Sequence, residues 1–340
     1  MLEQKIYEFV TKNKLIENGD KIILGVSGGP DSICMLNILN QMSTTGKIDF
    51  EIVVAHVNHG LRQNAILDEN FVTEFCNKKQ IPFFVKQVNI KQIAKEQKRG
   101  LEEMGRIVRY EFFEEILQKT KGNKIAIAHN QNDKAETILM NLFRGTGTKG
   151  LIGIESLNGK FIRPLLETKR CEIEAYLQQK NIIARQDESN QENIYTRNKI
   201  RNKVIPYLQK EFNPNILEGL IRLSGIVKEQ EDYLQEQTKA YYEEICIKEI
   251  KVTKNYEYNK SNHAQIIINL KKLNDLEILM QKRILFYAIH KIFGTTQKIE
   301  KIHMEAMIKL CNRKIGNKFL TPNKNLKIAI QNKQLEIMAI

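Results

Sequence analysis

Four short apolar, β-branched runs, at residues 21–26, 50–57, 82–88 and 124–129, are separated by stretches of helical spacing. Ile33, Leu36, Ile38 and Leu39 carry that spacing after the first run, and Tyr110, Phe113, Ile116 and Leu117 before the fourth. A run of alternating strands and helices leaves few choices. A helix that intervenes between two strands returns the chain to the same edge of the sheet, so the strands run parallel with right-handed crossovers. The pattern predicts a doubly wound α/β domain with helices on both faces of a parallel sheet.

Around Asn213-Pro214 the pattern changes. Long helical stretches follow at 216–250, 276–293 and 299–312, and then a strand-like alternation at 318–320, 326–330 and 335–338. The Asn-Pro pair breaks a helix, which places a domain boundary there. Residues 1–212 are expected to form the α/β domain, and residues 213–340 a helical domain ending in a small β region.

Charge separates the two halves further. Lysine and arginine exceed aspartate and glutamate by 13. Residues 213–290 are balanced, with 11 basic and 11 acidic side chains, whereas residues 291–340 hold 10 basic and 3 acidic ones. That excess makes a phosphate-rich partner plausible for the C-terminal region, although a Lys-, Asn- and Ile-rich composition alone also produces it. No stretch approaches the ~20 apolar residues of a membrane span. The N-terminal ten residues have amphipathic spacing with charged positions and no signal-peptide core, so a cytoplasmic location is expected. The cysteines, Cys34, Cys76, Cys171, Cys246 and Cys311, are odd in number and widely spaced without a C-x-x-C pair. They read as reduced thiols, with no cluster or zinc ribbon.

Between the first strand and its helix lies Ser27-Gly28-Gly29-Pro30-Asp31-Ser32. The glycines permit backbone angles closed to other residues, and the helix N-terminus adds free N–H groups and its positive dipole end. A loop so placed, at the carboxyl end of a parallel strand, is a cradle for phosphate. It lacks the Gly-Lys-Ser/Thr ending of a Walker A loop. A second glycine-rich stretch, Gly145 to Gly150, fits G-x-G-x-x-G but follows a helix, so dinucleotide geometry is absent.

The loop matches the S-G-G-x-D-S signature of the ATP pyrophosphatase (PP-loop) superfamily, and other segments resemble the tRNA(Ile)-lysidine synthases within it. These are His56-Val57-Asn58-His59-Gly60-Leu61-Arg62, Glu102-Glu103 with Arg106, Arg109 and Tyr110, and Ala128-His129-Asn130-Gln131-Asn132-Asp133-Lys134-Ala135-Glu136-Thr137. Arg144-Gly145-Thr146-Gly147, Arg163-Pro164-Leu165-Leu166, Asp187-Glu188-Ser189-Asn190, and Tyr195, Arg197, Asn198, Ile200 and Arg201 continue the series. The resemblance covers about residues 20–205, and Asn130 and Asn132 depart from it where many members carry His and Asp. The resemblance leads us to expect the shorter form of that family, without a second C-terminal domain.

The resemblance implies an adenine nucleotide alpha hydrolase-like fold and an ATP-dependent, AMP-forming ligase. ATP would adenylate the 2-oxygen of the wobble cytidine in a tRNA(Ile) with a CAU anticodon, and the ε-amine of lysine would displace AMP. By the same resemblance Ser27, Gly28, Gly29, Pro30, Asp31, Ser32, His56, Arg106 and His129 would bind ATP. Asp31, Asp133, Arg197 and Arg201 would be catalytic, and Asp31 and Asp133 would hold Mg2+; the substitutions at 130 and 132 weigh against a scheme with more carboxylates. Asp133 and His129 are also weak candidates to accept the proton of the amine. His56 and His59 have the spacing of a metal pair but no evident third ligand; ring stacking or hydrogen bonding near the nucleotide, and simple packing, are the alternatives. The expected partners are tRNA(Ile) and lysine, with no membrane and with a homodimer left open. A PP-loop tRNA thiolase is a rival that would need a cluster motif, and a non-catalytic RNA-binding protein a rival that would not keep the phosphate loop intact.

Overall fold

The structure is a computed structural model, and it describes residues 1–60, 65–185, 195–250, 264–296, 299–312 and 318–340. The motif residues Leu61 and Arg62, and Asp187 to Asn190, lie outside the described residues. Two compact units divide the chain, Met1–Lys228 and Glu229–Ile340. The division falls within one long helix, Ile216–Ile245, which starts just after Asn213-Pro214.

The first unit is built on a six-stranded sheet of order β3-β2-β1-β4-β6-β5. Its strands are β1 (Asp20–Gly25), β2 (Phe50–Asn58), β3 (Phe83–Gln87), β4 (Lys124–Ile127), β5 (Leu157–Asn158) and β6 (Phe161–Ile162). All neighbours pair in parallel except β5 and β6. The expected doubly wound α/β fold is present. Alternation along β1 explains why both faces must be covered: Ile22 and Leu24 pack with the helices Leu2–Lys12, Pro30–Thr44 and Arg170–Gln179, while Ile23 packs with Phe112, Phe113, Ile116 and Leu117 of the helix Leu101–Lys119. A strand buried on both sides reads as a continuous apolar run, which is why β1, β2 and β4 are legible in the sequence.

The order of strands determines where chemistry can occur. From β1 the chain moves outward to β2 and β3, then crosses back to place β4 on the other side of β1. The loops after β1 and β4 therefore diverge at a topological switch point, where open α/β sheets form a crevice.

In the second unit five antiparallel strands, in the order β7-β8-β11-β10-β9, pack against the helices Ile278–Phe293 and Lys301–Cys311. They are β7 (Cys246–Ile250), β8 (Gln265–Asn269), β9 (Lys318–Asn323), β10 (Leu326–Gln331) and β11 (Gln334–Ala339). The helix expected over 216–250 ends at Ile245, because Cys246-Ile247-Lys248-Glu249-Ile250 pairs with β8. β8 itself was not expected: Ile266 and Ile268 alternate into the core, but five residues are too short to register against the surrounding polar sequence. Among the described residues no helix is long and apolar enough to cross a membrane.

Candidate active site

The loop after β1 takes the shape its sequence prescribes. Gly28 has φ +90°, and Pro30 occupies the first turn of the helix Pro30–Thr44, where its fixed φ fits and its missing N–H costs nothing. The loop binds itself through serines. Ser27 N–H donates to Ser32 Oγ (3.1 Å), Ser32 Oγ donates to the Gly29 carbonyl (2.9 Å), and Gly29 N–H donates to Ser27 Oγ (3.3 Å). Among the described residues no side chain caps the helix, so its N-terminus keeps the donors and dipole end that suit an anion. Arg185 reaches the same loop: its N–H donates to the Gly28 carbonyl (3.1 Å) and its Nε to Asp68 (3.0 Å).

Asp31 and Asp133 come from the two sides of the switch point, and one asparagine joins them. Asn130 caps the helix Gln131–Phe143: its Oδ1 accepts from Asp133 N–H, while its own N–H donates to Asp133 Oδ2, both at 3.0 Å. Its Nδ2 is left to donate to Asp31 Oδ1 (3.1 Å). Arg170 Nη1 holds the other Asp31 oxygen at 2.6 Å. Arg170 N–H in turn donates to Asn132 Oδ1 (3.1 Å) at the start of the helix Arg170–Gln179. Asn130 and Asn132, the two departures from the family pattern, thus act as structural bridges. Burial lifts the Asp31 carboxyl to about 6; Arg170 opposes the shift and Asp133 adds to it.

One helical turn beyond Asp133, Glu136 is 1% exposed and receives two arginines. Arg197 Nε donates to its Oε2 (2.8 Å), and Arg201 Nε and Nη2 donate to Oε1 (2.6 Å) and Oε2 (2.9 Å). The Nη2 atoms of Arg197 and Arg201 also reach Asp133 Oδ1, at 3.0 and 3.1 Å. Carboxylates at i and i+3 on one helix meet arginines at i and i+4 on the next, all within reach on facing turns. Arg197 lies in the turn Thr196–Lys199, and Arg201 lies in a π-helical segment, Ile200–Val204, the kind of local widening that recurs at functional sites. Ile138, Leu139, Ile200 and Ile205 pack the two helices together beside the charges.

The remaining expected residues form two groups. His56, on β2, is buried, and its Nδ1 donates to the Val26 carbonyl (2.8 Å), which leaves Nε2 as a buried acceptor with no partner among the described residues. Burial lowers its pKa, so the ring is neutral. His59 contributes no metal partner to it. Among the described residues no group of three His, Cys, Asp or Glu side chains is placed to hold a metal.

His129, after β4, sits against Arg163, whose Nε donates to its Nδ1 (3.2 Å). Burial, with Arg197, Arg163 and Arg106 nearby, brings its pKa down to about 4 against the pull of Asp133. Its one acceptor lone pair is in use and Nε2 carries the proton, so His129 presents a donor to the crevice. Arg106 lies over the Tyr110 ring, 4.8 Å from its centroid, with Nη2 3.1 Å from the hydroxyl.

For magnesium the donors divide. Each Asp31 oxygen makes one described hydrogen bond, so each keeps lone-pair capacity for a cation. Asp133 is more occupied: two guanidiniums fill Oδ1, and only Oδ2, which accepts one bond from the cap, keeps such capacity. The Asp31–Asp133 pair therefore fits a metal through either Asp31 oxygen and through Asp133 Oδ2, while Asp133 Oδ1 stays with the arginines.

Sequence reasoning missed Arg170 and gave Glu136 no role. Arg170 lies 139 positions from Asp31 and belongs to none of the motifs above. Glu136 could have been found, since a glutamate one turn after Asp133 on an otherwise apolar helix face needs a buried cation.

The phosphate loop at a switch point, facing a carboxylate and arginine cluster, defines a nucleotide-binding α/β enzyme of one class. The chain belongs to the PP-loop family, whose PP-loop domain matches residues 1–208. Within that family it is similar to the tRNA(Ile)-lysidine synthases. It is 42% identical over 320 residues to that of Caldanaerobacter subterraneus subsp. tengcongensis, covering 94% of this chain and 65% of the relative. It is 39% identical over 328 residues to that of Clostridioides difficile, covering 96% and 68%. The chain thus spans about two thirds of the length of the curated relatives it matches. Among solved structures the U34-tRNA thiolase NcsA of Methanococcus maripaludis, with its [4Fe-4S] cluster, aligns with TM-score 0.55 at 20% identity over 66% of this chain and 78% of its own, a likeness of fold.

Proposed function

We propose that this chain carries out an ATP-dependent, AMP-forming ligation, joining lysine to the wobble cytidine of a tRNA(Ile) with a CAU anticodon, a reading supported by its similarity to proteins named tRNA(Ile)-lysidine synthase. The observation that carries the reading is the single network in which Asn130 ties Asp31, beside the phosphate loop, to Asp133, and Asp133 shares Arg197 and Arg201 with Glu136. It ties two guanidiniums, held in place by buried carboxylates, into one hydrogen-bonded network with the aspartate of the anion cradle, and preorganised donors of this kind are what phosphoryl displacement requires.

In the first step the cytidine 2-oxygen bonds to the α-phosphorus of ATP, and the bond to pyrophosphate breaks. The loop Ser27 to Ser32 would hold the departing phosphates. Arg197 and Arg201, oriented by Glu136, would face the charge that develops. His56 Nε2 would accept from a nucleotide donor, and His129 and Arg106 would supply donors on the other wall. In the second step the lysine ε-amine attacks C2; the C2–N bond forms, the C2–O bond breaks, AMP leaves with the oxygen and the amine loses a proton. Magnesium, when bound, would neutralise phosphate charge, with Asp31 and Asp133 Oδ2 as its protein ligands and phosphate oxygens and water as the rest. We extend the reading to a cytoplasmic enzyme in which residues 291–340 bind RNA phosphates, active as a monomer or a homodimer.

The rival thiolase reading has less support. Cys34, Cys76 and Cys311 are buried, and the described residues hold no cluster of ligands. Incubation of the protein with ATP, labelled lysine and tRNA, followed by mass spectrometry of the nucleosides, is the test. Lysidine at the wobble position is expected. A sulfur-containing nucleoside, or equal labelling with ornithine in place of lysine, would sink the assignment.

A further inference from the structure

We propose that Leu142, Phe143 and Arg144 form a stacking platform for an unpaired base of the RNA substrate, a role that rests on the RNA-directed reading above. The helix Gln131–Phe143 carries Asp133 and Glu136 in its first two turns and ends in two large apolar side chains left in solvent. Leu142 is 50% and Phe143 60% exposed. Phe143 follows Glu136 by seven residues, so two turns of helix bring it back to the same side, about 10 Å along the axis. At ~3.4 Å per stacked nucleotide that separation from Glu136 spans about three nucleotides, within one loop of RNA.

The turn after the helix holds the platform still and charges it. Gly145 reverses the chain at φ +76°, Thr146 N–H donates to the Asn141 carbonyl (3.2 Å), and Asn141 Nδ2 donates to the Gly150 carbonyl (2.9 Å). The turn is so tight that a Cβ on Gly150 would strike the Thr146 side chain. It presents Arg144 and Lys149, and no acidic residue occurs between Glu136 and Glu155. Among the described residues neither Phe143 nor Arg144 has a ring or ion-pair partner. An exposed aromatic next to an arginine, in a stretch of sequence without an acidic residue, complements a base with its phosphate: the ring offers a stacking face and the guanidinium meets the charge.

The chain contains no tryptophan, so Phe143→Trp introduces a single reporter that keeps a stacking face. Its emission should be quenched on adding an anticodon stem-loop RNA, and the variant should keep a near-normal KM for RNA. Phe143→Ala should raise that KM by about 10-fold or more, since one base–aromatic stack contributes ~1–3 kcal/mol, with kcat at saturating RNA unchanged. Arg144→Ala should reduce the salt slope of binding by about one. An unchanged KM for Phe143→Ala, or an unquenched Phe143→Trp in a protein that does bind the stem-loop, overturns the platform and leaves the lysidine reading intact. A shift of Phe143→Ala from dimer to monomer in sedimentation, with normal RNA KM, would make the patch an interface between copies. Failure of the unmodified protein to bind any RNA overturns the functional reading itself, and the platform with it.

Discussion

Glu136 carries more of the site than either aspartate. Its buried carboxylate is the common acceptor of Arg197 and Arg201, so removing it leaves two guanidiniums facing only Asp133. Glu136→Ala should cost about 2–3 kcal/mol in urea unfolding, below the ~3–5 of a fully buried pair because both arginines retain some solvent. Asp31→Ala and Asp133→Ala should each lower turnover by roughly 10²-fold or more with the fold intact by circular dichroism; normal turnover at saturating magnesium would remove that residue from the mechanism. Protonation gives a second handle. His59, partly buried, has its pKa lowered by burial to about 4. Its unfolded form takes up a proton below about 6.5, and its folded form does not until about pH 4. Its stabilising effect is therefore complete above 6.5 and is lost as pH falls from 6.5 to 4. Asp31, raised to about 6, works in the opposite sense, favouring the fold as pH drops below 6. Between pH 7 and 4.5, His59→Asn should lose about 1–2 kcal/mol less stability than the unsubstituted protein in denaturant titrations. Equal losses would show that the ring is free to protonate in the folded chain.

At the scale of elements, strand and helix meet tightly in the first unit where β1 crosses the helix Leu101–Lys119. A Cβ on Gly25 would lie 2.5 Å from the Phe113 ring. Gly25→Ala should therefore destabilise by about 1–3 kcal/mol through overpacking, and Phe113→Leu should restore part of it; additive losses in the double variant would refute the clash. Phe113 was legible from its helical spacing, and so were β1, β2 and β4, because a strand covered on both faces is apolar through its middle; β3, at the edge, was legible from Phe83, Phe84 and Val85. Less was legible where local pattern and fold disagree. Cys246 to Ile250 continues a helical rhythm, and only its pairing with β8 makes it a strand. The site shows the same division. The phosphate loop, Asp133, Arg197 and Arg201 lie within contiguous motifs, whereas Arg170 reaches Asp31 through tertiary structure alone, and Asn130 and Asn132 looked like losses until their hydrogen bonds showed what they support.

For the whole molecule, the uneven charge makes the proposed RNA binding testable. With about five phosphate contacts, affinity should fall roughly 10²- to 10³-fold between 50 and 200 mM salt. Lys318 and Lys324 are exposed in the second unit, and if they provide two of those contacts, the double change Lys318→Glu and Lys324→Glu should reduce the slope by about two. An unaltered slope in filter binding would assign that charge to solubility. The site is also scattered through the chain in an order that matters during synthesis. The phosphate loop leaves the ribosome early, but Arg197 and Arg201 follow Asp31 by about 170 residues, roughly 10–30 s later at ordinary elongation rates. A nascent chain thus displays a nucleotide cradle long before it owns the charges that would set ATP to work, so an unfinished protein has no means of spending it.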